Sequence, residues 1–573
     1  MNKYFKFLDL LLPVYKKNFY IIVFFSLLYS IIETISIVLI LPLMNALLNN
    51  NNLQHFEYFF KFLDFKEIFQ LFGLEYNQKL FFLTLYILVF FAKNIYYIIF
   101  SYYSSSFYSN VEANIATRYF ENDILGSVNS FNNKNSSEVI RDSNALASIY
   151  SSNFLMGLTS LFLEFFTFVL IFLSISYIYF YETIFILCLL IIFTLVNYIY
   201  LRNKIYFLAK KIELGQAIKI RKVIESFDLF KEIKIFNLYK KFFSNYSREV
   251  YLVSKYQRLL GFFRILNKPF LELIFVIILF FYLLSVISTN ENFSTFLIKL
   301  SIFVAAAFRF LPSINRINVT AQRLRASQPL IENLYLKIRK YSFYKERKIS
   351  PLYLRKNITI KGLSFSHVSD NQEILSNINL TIKRGSSILI LGKSGSGKST
   401  FVEIIMGLIK PTKGKILVDG KNITQNINGW FSRISYIPQK INLIDDSIEN
   451  NIIYFSNKKN NLKIQKILSL SKLNELRDKI DNKIFIGERG KRLSGGQVQR
   501  VGIARGLLKD ADLLIIDEGT SALDNKNEDD IVKELVVLDK NITIIFITHK
   551  KRLAKYFDKV YHIKDKKFYK IKG

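Results

Sequence analysis

Six long apolar runs within residues 19–311 constrain this chain more than any other feature. A helix needs about 20 apolar residues to cross the roughly 30 Å hydrocarbon core of a bilayer. The sequence therefore predicts an all-helical membrane domain over residues 1–326. In the external link between the first two spans, residues 56–72 mix apolar and charged residues, which favours an interfacial amphipathic helix or a packed hairpin. The predicted spans are residues 19–48, 80–103, 154–181, 183–201, 269–288 and 293–311.

The distribution of charge gives these spans an orientation. The chain has 78 Lys and Arg residues against 45 Asp and Glu, a formal net charge of +33. Residues 202–268 carry 16 of the basic residues, whereas the links at 177–182 and 289–292 carry none. Because basic loops stay in the cytoplasm, both termini and the two long loops, 104–153 and 202–268, are predicted to be cytoplasmic. This placement explains part of the basic excess, so we expect membrane lipids and no nucleic acid as partners.

Charged residues inside the spans or near their ends are the candidates for a substrate cavity. Each costs about 2.5–3.5 kcal/mol at mid-bilayer, so these side chains are expected to face a cavity or one another. One interpretation is mutual pairing with snorkelling at the span ends. The other is a polar, partly cationic cavity for an amphiphile with an anionic head. The residues are Glu33, Lys93, Glu164, Lys268, Glu272 and Arg309.

Residues 357–573 have a different pattern, in which short apolar strands alternate with helical segments. This alternation is typical of an α/β domain with a parallel sheet. The stretch at 327–356 is predicted to be the linker that precedes it. The fold class predicted for the chain is therefore a six-helix membrane domain followed by a cytosolic α/β domain.

A glycine-rich motif, Gly392-Lys-Ser-Gly-Ser-Gly-Lys-Ser399, follows the apolar strand 387–391 and precedes a helical segment. This is the context of a phosphate-binding loop, in which backbone N–H groups close around phosphates without Cβ obstruction. Lys398 is expected to reach the β- and γ-phosphates, and the Ser399 hydroxyl to bind Mg²⁺. The predicted nucleotide-binding residues here are Gly392, Lys393, Ser394, Gly395, Ser396, Gly397, Lys398, Ser399 and Thr400.

Two carboxylates end the apolar stretch 512–516, and a histidine follows the predicted strand 542–547. Asp517 is a candidate ligand of the metal, and Glu518 is a candidate general base for the water that attacks the γ-phosphate. His549 is expected to donate a hydrogen bond to the γ-phosphate. Together with Lys398, Glu518 and His549 are the predicted catalytic residues.

A second predicted anion site, Ser494-Gly-Gly-Gln497, opens a helical segment nearly a hundred residues after the glycine-rich motif. One nucleotide needs only one phosphate cradle. We therefore expect the two segments to grip the same nucleotide from opposite subunits of a homodimer.

These motifs, with Gln439 and Ser521-Ala-Leu-Asp524, resemble the ordered motif series of ATP-binding-cassette ATPases. The six preceding spans make the chain similar to a half-transporter of the type I exporter fold. The resemblance implies ATP hydrolysis coupled to transport, with ATP and Mg²⁺ as cofactors. It also implies that Gln439 contacts Mg²⁺ and senses the γ-phosphate, with Ser399 and Asp517 as the other metal ligands.

The same resemblance assigns further nucleotide contacts. Ser494, Gly495, Gly496 and Gln497 would contact the ATP held by the partner, and Asp524 belongs to the loop that faces it. The family usually stacks an aromatic ring on adenine about 25 residues before the phosphate loop. Here the matching position is His367, a smaller ring that can still stack.

The membrane half carries a narrower resemblance. Residues 31–34, Leu41-Pro42 and residues 308–317 are similar to bacterial flippases for the lipid-linked oligosaccharides of protein N-glycosylation. This implies a polyprenyl-diphosphate glycan as substrate, the bacterial inner membrane as location, and Lys93, Lys268 and Arg309 near the diphosphate. Another amphiphile, such as a glycolipid, drug or peptide, and an ATP-gated channel or regulator remain as alternatives.

Overall fold

The computed structural model describes residues 6–47, 78–126, 135–176, 180–289, 293–340, 350–366, 373–455, 461–520, 523–537 and 541–572. The chain divides into two compact units, Met1–Gly126 with Ser130–Tyr344, and Lys345–Gly573. The predicted external segment 56–72 and His367 lie outside the described residues.

The first unit is helical throughout its described residues, because a helix bonds all of its backbone polar groups within one segment. A short π-helix, Ile149–Leu155, lies between α4 and α5. The helices are α1 (Pro13–Val38), α2 (Ile40–Leu47), α3 (Gln78–Ile124), α4 (Ser136–Ser148), α5 (Met156–Ser176), α6 (Phe180–Asp228), α7 (Phe230–Ile235), α8 (Tyr239–Ile265), α9 (Asn267–Thr289) and α10 (Phe293–Lys340).

Helices cover most of each predicted span, but several are much longer than a span. Helices α3, α6 and α10 have 47, 49 and 48 residues, or about 70 Å each at 1.5 Å per residue. The predicted loops 104–153 and 202–268 are therefore mostly helical, which corrects that expectation. Hydropathy marks only the apolar part of a helix, and the polar continuations of α3 and α6 contain no proline that would end the helix.

Within the described residues, three helical stretches are long and apolar enough to cross a membrane: Pro13–Met44, Lys79–Ile124 and Ser137–Ser174. On helix α3, large apolar side chains lie on the surface of the protein: Ile87, Leu88 and Phe91 are 57, 65 and 66% exposed. Lipid chains solvate such residues in a bilayer. Membrane crossing by the helices over 183–201, 269–288 and 293–311 stays a prediction.

The helical unit also has a buried core at the polar continuations of its helices. The π-helix contributes Tyr150 and Phe154, which are fully buried against Val111 of α3 and Leu334 of α10. The Tyr150 hydroxyl donates to the Phe7 carbonyl at 2.9 Å. Helix α10 continues to Lys340, so residues 327–340 are helical.

The second unit contains two β-sheets. A six-stranded sheet has the order β10-β9-β3-β8-β7-β6, with only the β9–β10 pair antiparallel, and a four-stranded antiparallel sheet has the order β2-β1-β4-β5. The strands are β1 (Asn357–Ser366), β2 (Glu373–Lys383), β3 (Ser387–Gly392), β4 (Lys413–Val418), β5 (Lys421–Asn422), β6 (Ile434–Ile437), β7 (Leu513–Asp517), β8 (Thr543–Thr548), β9 (Lys559–Lys564) and β10 (Lys567–Lys572).

Helices pack against these sheets and close two hydrophobic cores. Strands β1 and β4 belong to the antiparallel sheet, so the apolar strands of this domain do not all join the predicted parallel sheet. Strands β2, β9 and β10 were not predicted, because lysines and asparagines interrupt their apolar pattern. The helices are α11 (Lys398–Met406), α12 (Ile427–Phe431), α13 (Ile448–Ile453), α14 (Asn461–Leu470), α15 (Arg477–Asp481), α16 (Gly495–Leu508) and α17 (Asn525–Val537).

Candidate nucleotide-binding site

The candidate site lies at the carboxyl edge of the parallel sheet. Strand β3 is buried along its whole length and ends at Gly392, where the glycine-rich loop begins. Strands β6, β7 and β8 run parallel to it and end at Ile437, Asp517 and Thr548. Parallel strands present their carboxyl ends at one edge, which is where α/β sheets bind ligands. Gln439, Glu518 and His549 therefore follow strands that end at the same edge as the loop.

The glycine-rich loop has a backbone that other residues could not adopt without strain. Gly395 and Gly397 have φ angles of +77° and +93°, in the left-handed region. A Cβ on Gly397 would lie 3.0 Å from the Leu375 side chain, and one on Gly392 would lie 2.6 Å from Ser396 Oγ. The loop thus makes a tight turn, in which the Ser396 N–H donates to the Lys393 carbonyl at 3.2 Å.

Two polar side chains of the loop, those of Lys398 and Ser396, are candidates for contacts with a phosphate. Lys398 is 7% exposed, and its Nζ donates to the carbonyls of Gly392 at 2.9 Å and Lys393 at 2.8 Å. Ser396 Oγ is buried and has no hydrogen-bond partner among the described residues. Because a buried hydroxyl without a partner is costly, this atom favours a polar ligand in the loop. The arrangement fits a nucleotide phosphate.

Asp517 is a carboxylate held in an environment that favours a bound cation. It is 5% exposed. Burial and the neighbouring Glu518 charge raise the pKa of Asp517, while a hydrogen bond with Ser399 and the Lys398 charge lower it in part. A divalent ion beside Asp517 and Ser399 would compensate the buried charge.

The chemistry of the donors also fits Mg²⁺. Within the residues that the structure describes, there is no group of three or more His, Cys, Asp or Glu side chains that could hold a metal. Mg²⁺ commonly takes one or two protein oxygens and completes its shell with phosphate oxygens and water. Ser399 and Asp517 provide such a partial set.

Glu518 stands next to two other predicted residues. Gln439 Nε2 donates to Glu518 Oε2 at 2.7 Å, and His549 Nδ1 lies 3.6 Å from Glu518 Oε1. Glu518 has a φ of +47°, and its N–H donates to the Ile547 carbonyl at 3.0 Å. The Glu518 carboxylate thus lies between the side chains of Gln439, which follows β6, and His549, which follows β8.

The second predicted anion site is a well-formed helix start. The Ser494 hydroxyl accepts from the Gln497 N–H at 3.3 Å, and Gln497 Oε1 accepts from the Ser494 N–H at 3.0 Å, which makes a capping box. Ser494 and Gly495 are exposed. Within the described part of the chain, no hydrogen bond joins residues 494–497 to residues 392–400. A single chain therefore does not unite the two segments.

Comparisons with known proteins agree with this geometry. Residues 375–521 match the model of the family described as ABC transporter. A solved structure described as a bacterial Atm1-family ABC exporter with ATP bound superposes with a TM-score of 0.76 at 18% identity, covering 94% of each chain. The chain has the fold of an ABC exporter. The matched residues 375–521 lie in the second unit, which is its nucleotide-binding domain.

Two named relatives match parts of this chain. An ATP-dependent lipid A-core flippase of Francisella tularensis is 32% identical over 356 residues, which is 58% of this chain and 56% of that protein. The heterocyst differentiation ATP-binding protein HepA of Nostoc is 34% identical over 279 residues, 47% of this chain and 46% of that protein. The chain thus spans about half the length of these curated relatives.

In the helical domain, the predicted charged residues that the structure describes lie at separate places. Lys268 Nζ lies 3.8 Å from Glu272 Oε1, one turn along α9, and both side chains are exposed. Lys93 Nζ lies 4.1 Å above the Phe90 ring. Glu33 is 6% exposed, and its Oε1 lies 3.5 Å from the Tyr29 hydroxyl. The side chain of Arg309 lies outside the described atoms.

Glu164 forms an ion pair that the sequence interpretation missed. Its Oε2 accepts from Ser313 Oγ at 2.5 Å, and its Oε1 lies 2.5 Å from Nε of Arg316. The Glu164 side chain is 5% exposed and that of Arg316 is 46% exposed. Arg316 follows Arg309 by seven residues, or two helical turns, so the spacing already placed both on one face of the helix.

Proposed function

We propose that this exporter hydrolyses ATP and uses the energy to move an anionic amphiphile across the bacterial inner membrane as a homodimer. The observation that carries the proposal is the position of Glu518. Its carboxylate is held by Gln439 and lies beside His549, at the sheet edge where the loop of Gly392–Ser399 opens. This is the geometry that the removal of a proton from an attacking water requires.

The loop residues have the binding role in this proposal. The N–H groups of residues 392–400 bind the α- and β-phosphates, and Lys398 exchanges its loop carbonyls for the β- and γ-phosphates. Ser399, Gln439 and Asp517 would hold Mg²⁺, which when bound neutralises charge on the phosphate oxygens. His367 is the proposed adenine contact.

The residues at the strand ends have the chemical role. Glu518 accepts the proton of the attacking water, while Gln439 keeps the carboxylate oriented. His549, 60% exposed, donates a hydrogen bond to the γ-phosphate. Because the preceding strands fix their backbones, these side chains need little reorganisation when a nucleotide enters.

A homodimer follows from the separation of the two anion sites. Residues 494–497 offer exposed backbone N–H groups at the start of α16, and an ATP phosphate held by the partner's loop is their proposed ligand. Asp524, which accepts from the Asn527 N–H at 3.2 Å, precedes α17 in the loop proposed to face the partner. Nucleotide would then join the two domains, and hydrolysis would release them.

The helical domain supports an anionic lipid as the cargo. Arg316, Lys93, Lys268 and Arg309 are cations in or beside predicted spans, and phosphate groups bind such side chains strongly. We propose a polyprenyl-diphosphate oligosaccharide as the substrate. The relative named as a lipid A-core flippase favours a lipid over a peptide or a drug.

Stimulation of the purified exporter's ATPase by candidate lipids tests this proposal. We expect a polyprenyl diphosphate to stimulate turnover, and the variant Lys93→Ala with Arg309→Ala to lose that stimulation while keeping basal turnover. Equal stimulation by lipids without phosphate, or by detergent alone, would remove the diphosphate from the proposal. Absence of any ATPase activity in the wild-type protein would contradict the proposal as a whole.

A further inference from the structure

A buried carboxylate behind the site bonds to the segments that follow both Glu518 and His549. Glu528, on α17, is 1% exposed. Its Oε1 accepts from Thr520 Oγ1 at 2.7 Å. Lys550 Nζ donates to both oxygens, at 3.0 and 2.9 Å, and the guanidinium of Arg552 bonds to Oε2. One carboxylate thus accepts hydrogen bonds from a hydroxyl and from two cationic side chains.

The partners of Glu528 are close neighbours of the proposed catalytic residues. Thr520 comes two residues after Glu518 and is itself 1% exposed. Lys550 comes directly after His549. The Glu528 carboxylate therefore joins the segment after β7 to the segment after β8, in addition to the ladder between the two strands.

The backbone at Glu518 needs such an anchor. A non-glycine residue at a φ of +47° is strained, and it persists only where its surroundings fix it. Strand β7 fixes the backbone before Glu518. Directly after it, a Cβ on Gly519 would lie 2.7 Å from the Ile437 side chain, so the chain passes through a narrow space. The Thr520–Glu528 hydrogen bond fixes the backbone on the far side of that space.

We propose that Glu528 is a positioning residue for ATP hydrolysis, which holds Glu518 and His549 at their observed separation through Thr520 and Lys550. The inference rests on the proposed ATPase function. Since α17 begins directly after Asp524, the same helix also connects the loop proposed to face the partner with the catalytic residues. Glu528 acts through its partners and touches no reacting atom.

This role predicts a separation of kinetic effects. The hydrogen-bond partners of Glu528 lie outside the phosphate-binding loop, residues 392–400. We therefore expect nucleotide binding not to depend on Glu528. A displacement of about 1 Å at a reacting group can lower the rate on the order of 10²-fold. For Glu528→Gln we therefore expect kcat to fall on the order of 10²-fold while KM for ATP changes little.

The control is Asp512→Asn. Asp512 is also a buried carboxylate, 7% exposed, and it accepts from Arg433 Nη2 at 2.7 Å and from the Leu354 N–H at 3.0 Å. It precedes β7 at the end of the strand opposite Glu518. Both variants are expected to lower the temperature of unfolding, but only Glu528→Gln should lower kcat strongly.

A second pair of variants tests the inference if Glu528→Gln does not fold. Thr520→Val removes the hydroxyl that donates to Glu528 and should lower kcat, whereas Thr520→Ser keeps a hydroxyl and should have a kcat near that of the wild type.

The experiment measures kcat, KM for ATP and thermal unfolding of the full-length exporter and its variants. If the wild type hydrolyses ATP and Glu528→Gln keeps its kcat, the positioning role is overturned while the ATPase proposal stands. Equal loss of kcat in Asp512→Asn, or equal turnover of Thr520→Val and Thr520→Ser, would also overturn it. If the wild type itself does not hydrolyse ATP, the proposed function fails and this inference fails with it.

Discussion

The nucleotide-binding domain and the helical domain of this chain arrange the charged residues that the sequence singles out in different ways. In the nucleotide-binding domain, side chains from three different strand ends meet, as Gln439, Glu518 and His549 do. In the helical domain, the charged residues predicted for a substrate cavity lie apart from one another: Lys268 pairs with Glu272 one turn along α9, and Glu164 of α5 pairs with Arg316 of α10. Parallel strands bring their carboxyl ends to one edge, whereas long helices spread their charges along their length.

This difference indicates which side chains of each domain can have a role in chemistry. At a sheet edge, a change in one side chain acts on neighbours from other strands, and it should alter chemistry. In the helices, a change in one of these pairs acts on one or two neighbours, and it should alter local stability more than basal ATP hydrolysis. Variants of each domain test this difference.

The largest effect is expected for Glu518→Gln. Loss of the general base should lower kcat for ATP on the order of 10²–10⁴-fold, while nucleotide binding stays within a few-fold of the wild type. Steady-state hydrolysis and a nucleotide-binding titration check this. Asp530→Asn is the control, since it breaks a half-exposed pair with Lys472 in the same domain. If both variants lose the same activity, the strand-end arrangement has no special role.

A smaller effect separates two glutamates of the helical domain. Glu164→Gln leaves Ser313 and Arg316 without a charged partner, and we expect a loss of about 1–2 kcal/mol of unfolding free energy. Glu272→Gln breaks an exposed pair and should cost about 0–0.5 kcal/mol. Thermal unfolding in detergent compares them. Equal losses, or a change in basal kcat from either variant, would contradict the local character of these pairs.

The sequence predicted which residues meet at the sheet edge better than it predicted the contacts of the helical domain, for a physical reason. A glycine-rich loop after a buried strand has few possible geometries, so Gly392–Ser399 and the strand-end residues could be placed together before the structure was known. Which face of an apolar helix meets its neighbours depends on packing, and Arg316 was missed for that reason. The polar continuations of α3 and α6 were also taken for loops, because hydropathy does not report helix length.

Other parts of the nucleotide-binding domain were not predictable from local patterns. Glu528 lies in a polar helix start that looks solvated in the sequence, and only the fold buries it under Thr520, Lys550 and Arg552. Strands β9 and β10 carry too many lysines for an apolar strand pattern. They pair beside β3, and β9 is buried on the side that faces the core.

The smallest expected effect concerns Asp419, a carboxylate of the nucleotide-binding domain away from the site. Its oxygens accept from the N–H groups of Arg355, Lys356 and Asn357 at 2.6–2.8 Å. Partial burial raises the pKa of Asp419, but these backbone bonds outweigh it, and the net pKa is lowered. We expect Asp419→Asn to cost about 1 kcal/mol at neutral pH.

The sign of the pH dependence follows from the lowered pKa. Ionised Asp419 contributes its full stability above the unfolded value of about 3.9, and the contribution is lost as the pH falls through the lower folded pKa. The difference in unfolding temperature between wild type and Asp419→Asn should therefore shrink only below about pH 3.9. A difference that is already lost at pH 6 would contradict this assignment.

ATP-driven movement of a labelled lipid-diphosphate headgroup across proteoliposomes tests the central claim most directly, because it joins the strand-end chemistry to the helical domain. We expect the wild-type protein to move the headgroup only when ATP and Mg²⁺ are present. The variant Glu518→Gln, reconstituted to the same density, should not move the headgroup even with ATP and Mg²⁺. Equal movement by Glu518→Gln, or movement without ATP, would contradict the coupling and favour a channel.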